Sequence, residues 1–533
     1  MTTALTPGAM QPFALTLNRF VDHAAKWHPR REVVTGGSTS ARITYAELRE
    51  RSRRLSGALQ ALGLAEGDNL GLLAWNSQAQ MECWYGAVGV GIVYHTLNPR
   101  LPPAQLAAMI RQAANRVLAV SPDLVPLAAR LAELCPSLKH VVILDEPGAD
   151  ATAADCGGAR CWRYEDLLDR LGTPVDWGGF DENVPAGLCF TSGTTGAPKG
   201  VTYTHRSNYL HTLHQIQVDA SGLGGQDSLL AAVPMFHANG WGFPFSAPAV
   251  GAKLVFPGRR QDGASLARLI RAENVTVAAG IATVWLGLCD HLDLTGAELP
   301  TLRRIMVGGS SIPQALMDRL EQRLGVIVQT SWGMTELSPL GTTMPVAAAV
   351  RSAAKSGRPT IGVDLLLTDA DGVPLPEQRG HEGRLHVRGA SVVERYFGQD
   401  APAVDADGWF DTGDLAIIDA DGNVGITGRA KDLIKSGGEW INPSEIEAIV
   451  SALPQVSLVA VIGRSDPKWG ERPILLVEMR NGATMSDQEL LEPLQGRVAP
   501  WWIPEDVVRI RNMPLASTGK IDKMRLRSEY REA

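Results

Sequence analysis

The stretch TSGTTGAPKG, residues 191–200, contains four hydroxyl side chains, three glycines and one lysine. Glycine lets backbone N–H groups turn toward a ligand, because no Cβ obstructs the approach. A concave arrangement of amides suits an anion, and hydroxyls and an ammonium group add further donors. The stretch therefore predicts a polyphosphate-binding loop, and an ordinary surface loop of turn residues is the alternative.

The sequence around this loop predicts a strand before it and a helix after it. An apolar run at 186–190 has strand character, and His205 follows a second short run and could open a helix. Lys199 does not directly follow a glycine and is not followed by Ser or Thr, which excludes a Walker loop.

Short apolar strands alternate with helical segments over the first part of the chain. The runs at 117–120 and 141–144 are typical of buried strands. This alternation favours an α/β fold of layered subdomains with a mostly parallel sheet. Between about residues 365 and 425 the pattern changes to strands separated by Asp-Gly turns, which predicts a meander or a small barrel-like part.

The end of the chain predicts a separate, mobile α+β domain. A helix at 443–452 and strands at 456–463 and 474–480 lie within about one hundred residues, a usual domain size. We therefore predict a large N-terminal domain over residues 1–429 and a small C-terminal domain over residues 430–533.

Composition excludes several classes of protein. The net charge of -7 argues against nucleic acid as a partner, and no apolar run is long enough for a transmembrane segment. Residues 1–20 lack the features of a signal peptide, which favours a cytoplasmic protein. The six cysteines show no zinc spacing, and even the closest pair, Cys156 and Cys161, is expected to be reduced.

The loop at 191–200 resembles the phosphate loop of the adenylate-forming enzymes, the superfamily of acyl-CoA synthetases, nonribosomal-peptide adenylation domains and firefly luciferase. Stretches similar to four further motifs of that family follow in the same order, at 329–339, 411–414, 428–441 and 512–521. The resemblance covers roughly residues 15–530. It implies ATP, coenzyme A and a small carboxylic acid as ligands and Mg²⁺ as the metal, and it leaves a homodimer open.

The resemblance assigns nucleotide-binding roles to particular residues. Trp332 would pack on adenine, where the family usually has Tyr, and Asp414 with Arg429 would hold the ribose. Thr335 would contact phosphate, and Glu336 would bind Mg²⁺ together with Thr191. The remaining nucleotide-binding positions implied are Ser192, Gly193, Thr194, Thr195, Gly196, Lys199, Gly309, Ser310, Ser331, Gly333 and Met334.

The last two motifs imply catalysis and domain motion. Lys520 matches the lysine that bridges the carboxylate and the α-phosphate, although Ala516 and Ser517 depart from the usual motif. Lys431 matches the hinge. The coenzyme A positions are Lys435, Gly437, Gly438, Glu439 and Trp440, whose glycines would let pantetheine pass close to the backbone.

The stretch MFHANGWGFP, residues 235–244, resembles the acyl-pocket segment of fatty acyl-CoA synthetases. The resemblance is greatest to medium- and short-chain ligases, including methylmercaptopropionate–CoA ligases. It implies that His237 joins the acyl pocket to the adenylate and acts in catalysis. Trp241 would gate the pocket, and we expect Trp285, Gly308 and Gly309 to line it.

These observations predict an AMP-forming acid–CoA ligase. No Arg or Lys in the pocket stretch could pair with a second carboxylate, so we expect an apolar acid of short to medium length. The alternatives are an aryl- or methylthio-alkanoate CoA ligase, an acyl-AMP ligase loading a carrier protein, a luciferase-like oxygenase, and a non-catalytic nucleotide- or acyl-binding protein.

Overall fold

The structure is a computed structural model and describes residues 10–37, 40–144, 155–191, 198–348, 351–480, 482–516 and 519–530. Helices and strands alternate from residue 18 to residue 215: α1 Asn18–Trp27, β1 Glu32–Thr35, β2 Ala41–Thr44, α2 Tyr45–Ala61, β3 Asn69–Leu73, α3 Gln78–Val88, β4 Val93–Thr96, α4 Pro103–Gln112, β5 Val117–Val120, α5 Val125–Leu134, β6 His140–Ile143, β7 Arg160–Arg163, α6 Tyr164–Leu171, β8 Pro185–Phe190, β9 Gly200–Thr204 and α7 His205–Gln215.

Seven of these strands form one sheet in the order β7-β6-β5-β3-β4-β8-β9. All neighbours in it are parallel except β8 and β9, which form an antiparallel pair. The residues following β9 begin α7 because Thr204 caps the helix, its hydroxyl accepting from the Ser207 backbone N–H. The predicted strand before residues 191–200 and the predicted helix from His205 are therefore confirmed, and the short run between them forms the strand β9.

A second sheet has nine strands in the order β16-β15-β14-β13-β12-β10-β11-β1-β2. Its N-terminal edge strands β1 and β2 join residues that come much later in the chain, with Val33 opposite Leu254. The later elements are β10 Ser228–Ala231, α8 Phe243–Val250, β11 Lys253–Phe256, α9 Gly263–Ala272, β12 Val277–Gly280, α10 Ala282–Thr295, β13 Arg304–Val307, α11 Gln314–Leu324, β14 Ile327–Gly333, β15 Leu340–Thr343 and β16 Arg358–Pro359.

The core of this part lies in layers on either side of the second sheet. One buried cluster extends from this sheet through α1, α2, α3 and α8 to the first sheet, and contains Trp84 stacked on Tyr94 at 4.4 Å between ring centroids. The other cluster packs α9, α10 and α11 on the opposite face. The predicted layered α/β architecture is confirmed.

A four-stranded antiparallel meander follows, in the order β17-β18-β19-β20. Its three Asp-Gly turns place Gly372, Gly408 and Gly422 at φ of 82° to 84°, a conformation that glycine adopts without strain. The strands are β17 Val363–Thr368, β18 Glu382–Gly389, β19 Phe410–Ile418 and β20 Val424–Arg429.

The C-terminal α+β unit contains β21 Ile434–Ser436, β22 Glu439–Ile441, α12 Pro443–Ser451, β23 Val456–Asp466, β24 Gly470–Met479, α13 Asp487–Leu491, β25 Asp506–Arg509 and α14 Lys523–Tyr530. Its strands form one sheet, in which β25 lies parallel to β24. The helix α13 ends at Leu491, where a short 3-10 turn containing Pro493 follows. The boundary at residue 429 stays a prediction.

The expectation of six reduced cysteines is wrong for one pair. Cys156 and Cys161 form a disulfide, with their Cα atoms 5.9 Å apart. Gly157 and Gly158, both at positive φ, turn the chain between them, so that a separation of five residues brings the two sulfurs together. The other four cysteines, Cys83, Cys135, Cys189 and Cys289, are free and buried.

Within the described ranges, no helix combines the length and the apolar character that a bilayer crossing requires.

Candidate active site

The carboxyl ends of four parallel strands meet at one edge of the second sheet. The chain leaves β10 toward His237, β12 toward Ile281 and β13 toward Gly308, and β14 itself ends at Gly333. In open α/β sheets this edge is where ligands bind, because side chains from successive loops converge there. The sequence motifs that carry the predicted chemistry therefore lie side by side.

A left-handed turn follows His237. All five residues from Ala238 to Gly242 have positive φ, between 34° and 74°, and three of them are not glycine. This conformation costs a non-glycine residue roughly 1–2 kcal/mol, so surrounding contacts must hold it. Two buried side chains do so: Thr96 Oγ1 donates to Asn239 Oδ1 at 2.9 Å, and Gln215 Nε2 donates to the Trp241 carbonyl oxygen at 2.6 Å.

The turn places the Trp241 indole against the glycine pair after β13. A Cβ added at Gly308 would lie 3.1 Å from the Trp241 Cη2 atom, and one at Gly309 would lie 3.5 Å from its Cζ2 atom. The structure thus brings together three of the residues predicted to line the acyl pocket. Trp285 is fully buried in the cluster between the sheet and α9–α11, and an added Cβ at Gly280 would lie 2.8 Å from its Cζ2 atom; its role in the pocket stays a prediction.

His237 lies beside this pocket and is largely enclosed. Burial, followed by the nearby positive charge of Lys520, lowers the His237 pKa to about 4. The imidazole is therefore neutral near pH 7 and can donate or accept a hydrogen bond; its place at the junction of acyl pocket and adenylate stays a prediction.

Asp414 is held from two sides. Its partner across the β19–β20 ladder is Arg429, whose Nε lies 2.6 Å from Asp414 Oδ1. The Trp332 indole Nε1 donates to Asp414 Oδ2 at 2.9 Å. Burial raises the Asp414 pKa, an effect that the Arg429 charge and the Trp332 hydrogen bond oppose. The predicted ribose and adenine residues therefore form one connected group.

Glu336 lies on the turn after β14, and its carboxylate is also tied to a neighbour. Tyr396 donates its phenolic hydrogen to Glu336 Oε1 at 3.0 Å, and the Lys199 ammonium lies over the Tyr396 ring, 4.6 Å from its centroid. Burial raises the Glu336 pKa, against hydrogen bonds and the charges of Arg429 and Lys199. Tyr396 thus connects the predicted metal ligand with the lysine of the phosphate loop.

Sequence reasoning missed Tyr396 because it lies outside the five motif-like stretches. No periodicity or spacing in its neighbourhood points to a site. The contact arises because the chain near Phe397 returns to the end of β9, where the Phe397 backbone N–H donates to the Gly200 carbonyl oxygen at 2.8 Å.

Only the base of the phosphate loop lies within the described residues. The Thr191 backbone N–H donates to the Lys199 carbonyl oxygen at 2.8 Å, and Phe190 pairs with Gly200, so the loop closes a hairpin between β8 and β9. The predicted phosphate-binding residues Ser192, Gly193, Thr194, Thr195 and Gly196 fall outside the described residues.

The other predicted nucleotide-binding residues lie after β13, at the end of β14 and directly after β14. Ser331 Oγ donates to the Val307 carbonyl oxygen at 3.1 Å, and Tyr203 donates to the Thr335 carbonyl oxygen at 2.7 Å. These bonds fix the backbone around the sheet edge. The same stretches contain Gly309, Ser310, Gly333 and Met334.

Lys520 reaches this edge from the C-terminal unit. It follows Gly519, where an added Cβ would lie 2.7 Å from Ile281 Cδ1, so the tip of the turn touches the loop after β12. Lys520 is exposed to solvent as a whole residue, while protein groups, among them Asp414 and Arg429, lie near its ammonium group. The resulting desolvation, followed by the Arg429 charge, lowers its pKa to about 8, while Asp414 acts in the opposite direction.

The predicted coenzyme A residues lie on a different segment of the C-terminal unit from Lys520. They occupy the exposed β21–β22 hairpin, where Gly437 packs against the Trp469 ring and an added Cβ at Gly438 would have no heavy atom within 4 Å. In the part of the chain that the structure describes, no hydrogen bond or ion pair links Lys435, Glu439 or Trp440 to Lys520 or Asp414. Lys431 lies between the two regions, in the 3-10 turn directly after β20.

The surroundings of Glu336 suit a Mg²⁺ ion that is held partly by the protein and partly by substrate phosphates. Among the described residues there is no group of three or more His, Cys, Asp or Glu side chains that could hold a metal ion by itself. Mg²⁺ is commonly held by one or two carboxylates together with substrate phosphates. A single buried carboxylate near the base of a predicted phosphate loop fits that pattern.

Comparison with known proteins agrees with this geometry. Residues 21–397 match the family model described as AMP-binding enzyme, and residues 445–520 match the one described as AMP-binding enzyme C-terminal domain. The chain belongs to the AMP-binding enzyme family. The predicted superfamily is thereby confirmed.

Relatives of this AMP-binding enzyme match over almost their full lengths. A 3-methylmercaptopropionyl-CoA ligase of Ruegeria lacuscaerulensis is 39% identical, with 99% of each chain covered. A medium-chain-fatty-acid–CoA ligase of Ectopseudomonas oleovorans is 40% identical, covering 98% of this chain and 97% of the relative. A long-chain-fatty-acid–CoA ligase of Thermus thermophilus is 39% identical, with 98% and 97% covered.

Proposed function

We propose that this protein is an AMP-forming acid–CoA ligase that activates an apolar carboxylic acid of short to medium length. The observation that carries the proposal is the convergence of Lys520, Asp414 and His237 in one cleft. A cation between a nucleotide-binding carboxylate and the histidine beside the acyl pocket lies where an acid would meet the α-phosphate of ATP.

In the first half-reaction the acid attacks the α-phosphate, giving acyl-AMP and pyrophosphate. Lys520 would offset the negative charge on the attacking and transferring groups, and Asp414 with Arg429 would hold the ribose. Neutral His237 would orient the carboxylate without adding charge. Bound beside Glu336, Mg²⁺ would supply positive charge to the phosphate oxygens.

In the second half-reaction the thiol of coenzyme A attacks the acyl carbonyl, and AMP leaves. The small domain would turn about Lys431, withdrawing Lys520 and bringing Gly437 and Gly438 to the cleft. The proposal is supported by the exposure of the β21–β22 hairpin residues Lys435, Glu439 and Trp440, which leaves them free to meet a ligand after such a turn.

The proposed length of the substrate's acyl chain rests on this protein's own residues around Trp241, because its relatives are named for acids of different lengths. Trp241 closes over Gly308 and Gly309, and Phe243 is fully buried 6.4 Å from the Trp241 ring centre. Each further buried methylene contributes about 0.8 kcal/mol, or roughly fourfold, until the tail meets a wall. The specificity constant should therefore rise with length and then fall.

The experiment is a panel of C3 to C18 fatty acids with methylthio- and aryl-carboxylates, scored by pyrophosphate release and by acyl-CoA product. Trp241→Ala should move the break in the series to longer acids and leave short acids nearly unchanged. If palmitate is among the best substrates of the unaltered protein, the short-pocket proposal fails.

The same panel of acids also tests whether coenzyme A or a carrier protein accepts the acyl group. Release of AMP that requires free coenzyme A supports the ligase, whereas pyrophosphate release without acyl-CoA would point to a carrier-protein acceptor. A cytoplasmic location and a homodimeric assembly remain predictions from the sequence.

A further inference from the structure

Each oxygen of the Asp414 carboxylate has one polar protein partner, a hydrogen-bond donor at Oδ2 and an ion-pair partner at Oδ1. Trp332 Nε1 lies 2.9 Å from Oδ2, and Arg429 Nε lies 2.6 Å from Oδ1. Trp332 and Asp414 are 8% and 2% exposed, so water competes little for either partner. A hydrogen bond to a buried carboxylate is among the stronger ones in proteins.

A carboxylate has about four lone-pair sites, two on each oxygen. Trp332 uses one on Oδ2, and the Arg429 guanidinium pairs with Oδ1 by charge, which leaves at least one acceptor site per oxygen. Two free acceptor sites on neighbouring oxygens match two hydroxyl donors on neighbouring carbons, which is the arrangement of the ribose 2′- and 3′-hydroxyls.

We propose that Trp332 is a positioning residue that acts through its indole N–H. By fixing the rotation of the Asp414 carboxylate, it directs the two remaining acceptor sites toward the ribose diol and thereby favours ribonucleotides over deoxynucleotides. The proposal rests on the proposed function, because it takes Asp414 to be the ribose-binding residue.

The indole is itself immobile, as this role requires. Trp332 belongs to the buried cluster that includes Tyr203 and Leu337, and an added Cβ at Gly341 would lie only 2.5 Å from its Cζ3 atom. Asp414 is fixed from the opposite side, since its backbone N–H donates to Thr412 Oγ1 at 3.1 Å.

A ring that merely packs against adenine would act differently from a ring that donates a hydrogen bond. Packing of the ring on adenine strengthens the binding of nucleotides with and without ribose hydroxyls equally. A hydrogen bond that orients the Asp414 carboxylate strengthens binding only when the ribose hydroxyls are present to meet it. The ratio of activity with ATP to activity with deoxy analogues therefore separates the two roles.

The experiment uses the full chain with Trp332→Phe, which keeps a flat ring, and Trp332→Met, which fills the space flexibly; both lack the donor. The nucleotides are ATP, 2′-deoxy-ATP and 3′-deoxy-ATP, and kcat/KM is measured by pyrophosphate release. Trp177→Phe is the matched control, since it removes an indole donor that bonds Ser56 Oγ at 2.9 Å in another part of the large domain.

We expect both Trp332 variants to lose roughly tenfold or more with ATP and less than about threefold with either deoxy analogue, so that the preference for ATP shrinks. The control should keep the preference of the unaltered protein. An equal loss with all three nucleotides, or no loss, in whichever Trp332 variant folds would overturn the proposal.

Calorimetric binding of AMP and 2′-deoxy-AMP separates this proposal from the proposed function, because it needs neither acid nor coenzyme A. If the unaltered protein prefers AMP and the variants do not, the role of Trp332 stands even without ligase activity. If the unaltered protein binds the two nucleotides equally, the role is wrong even for an active ligase.

Discussion

At the residue scale, the proposed role of Lys520 is confined to one half-reaction. We predict that Lys520→Ala lowers acyl-AMP formation by on the order of a hundredfold or more, because a cation that offsets developing charge is lost. Thioester formation from supplied acyl-AMP should be nearly unchanged. Single-turnover assays of the two half-reactions test this, and an equal loss in both would show that Lys520 has another role.

The lowered pKa of Lys520 gives a pH dependence with a definite sign. With its pKa at about 8, below the usual 10.5, the side chain is charged at lower pH and becomes neutral as pH rises through 8. Since the charged form is the useful one, kcat/KM for adenylation should fall above about pH 8.

Lys520→Arg is the control for this prediction, because a guanidinium stays charged over the whole range. Its activity can be lower, but the fall above pH 8 should be absent. The same fall in the arginine variant would show that a different group titrates.

At the scale of elements, the left-handed turn at 238–242 positions Trp241 and allows little change in shape. Gly242 and Gly296 have nearly equal φ, 74° and 68°. An added Cβ at Gly242 would lie 3.0 Å from the buried His211 ring and 3.1 Å from Gln215 Oε1, whereas at Gly296 it would meet nothing within 4 Å.

We therefore predict that Gly242→Ala destabilises the protein more than Gly296→Ala. Both variants carry the cost of left-handed backbone, about 1–2 kcal/mol, and only Gly242→Ala adds crowding of about 1–3 kcal/mol. The measurements are the midpoint of thermal unfolding and the chain-length profile, which only Gly242→Ala should alter. Equal midpoints would mean that the turn tolerates the added methyl group.

At the scale of the whole molecule, the proposed alternation of the small domain makes the β21–β22 hairpin a test site. Gly438→Leu should preserve the first burst of acyl-AMP and lower coenzyme A-dependent turnover, because the side chain would stand where pantetheine passes. Gly482→Leu is the matched control: φ is 78° there and 92° at Gly438, and an added Cβ at either would meet nothing within 4 Å.

The control should keep both activities, since Gly482 belongs to the same domain but to none of the proposed sites. Loss of the burst in Gly438→Leu would indicate misfolding instead of a blocked path. A normal rate of thioester formation in that variant would contradict the role of the hairpin.

How much the sequence predicted depended on how local the signal was. Strand–helix alternation and Asp-Gly turns are local, so the layered α/β part and the meander were predicted correctly. The Trp332–Asp414 bond joins residues 82 positions apart, and the Tyr396–Glu336 bond joins residues 60 apart. Such contacts depend on how distant strands pack, which no spacing along the chain reveals. The Cys156–Cys161 disulfide was missed because reduced thiols were expected for all six cysteines and the Gly157-Gly158 turn between these two was given no weight.

The pairing of β1 with β11 has a consequence for synthesis. Val33 leaves the ribosome early, yet its partner Leu254 emerges about 220 residues later, which at 5–20 residues per second is a delay of roughly 10 to 45 seconds. During that interval the strand Glu32–Thr35 can pair only with its hairpin partner β2, and its other edge is open to capture by chaperones or by neighbouring nascent chains. Slow codons placed between these strands should lengthen the interval and lower the soluble yield, without altering a single residue of the finished enzyme.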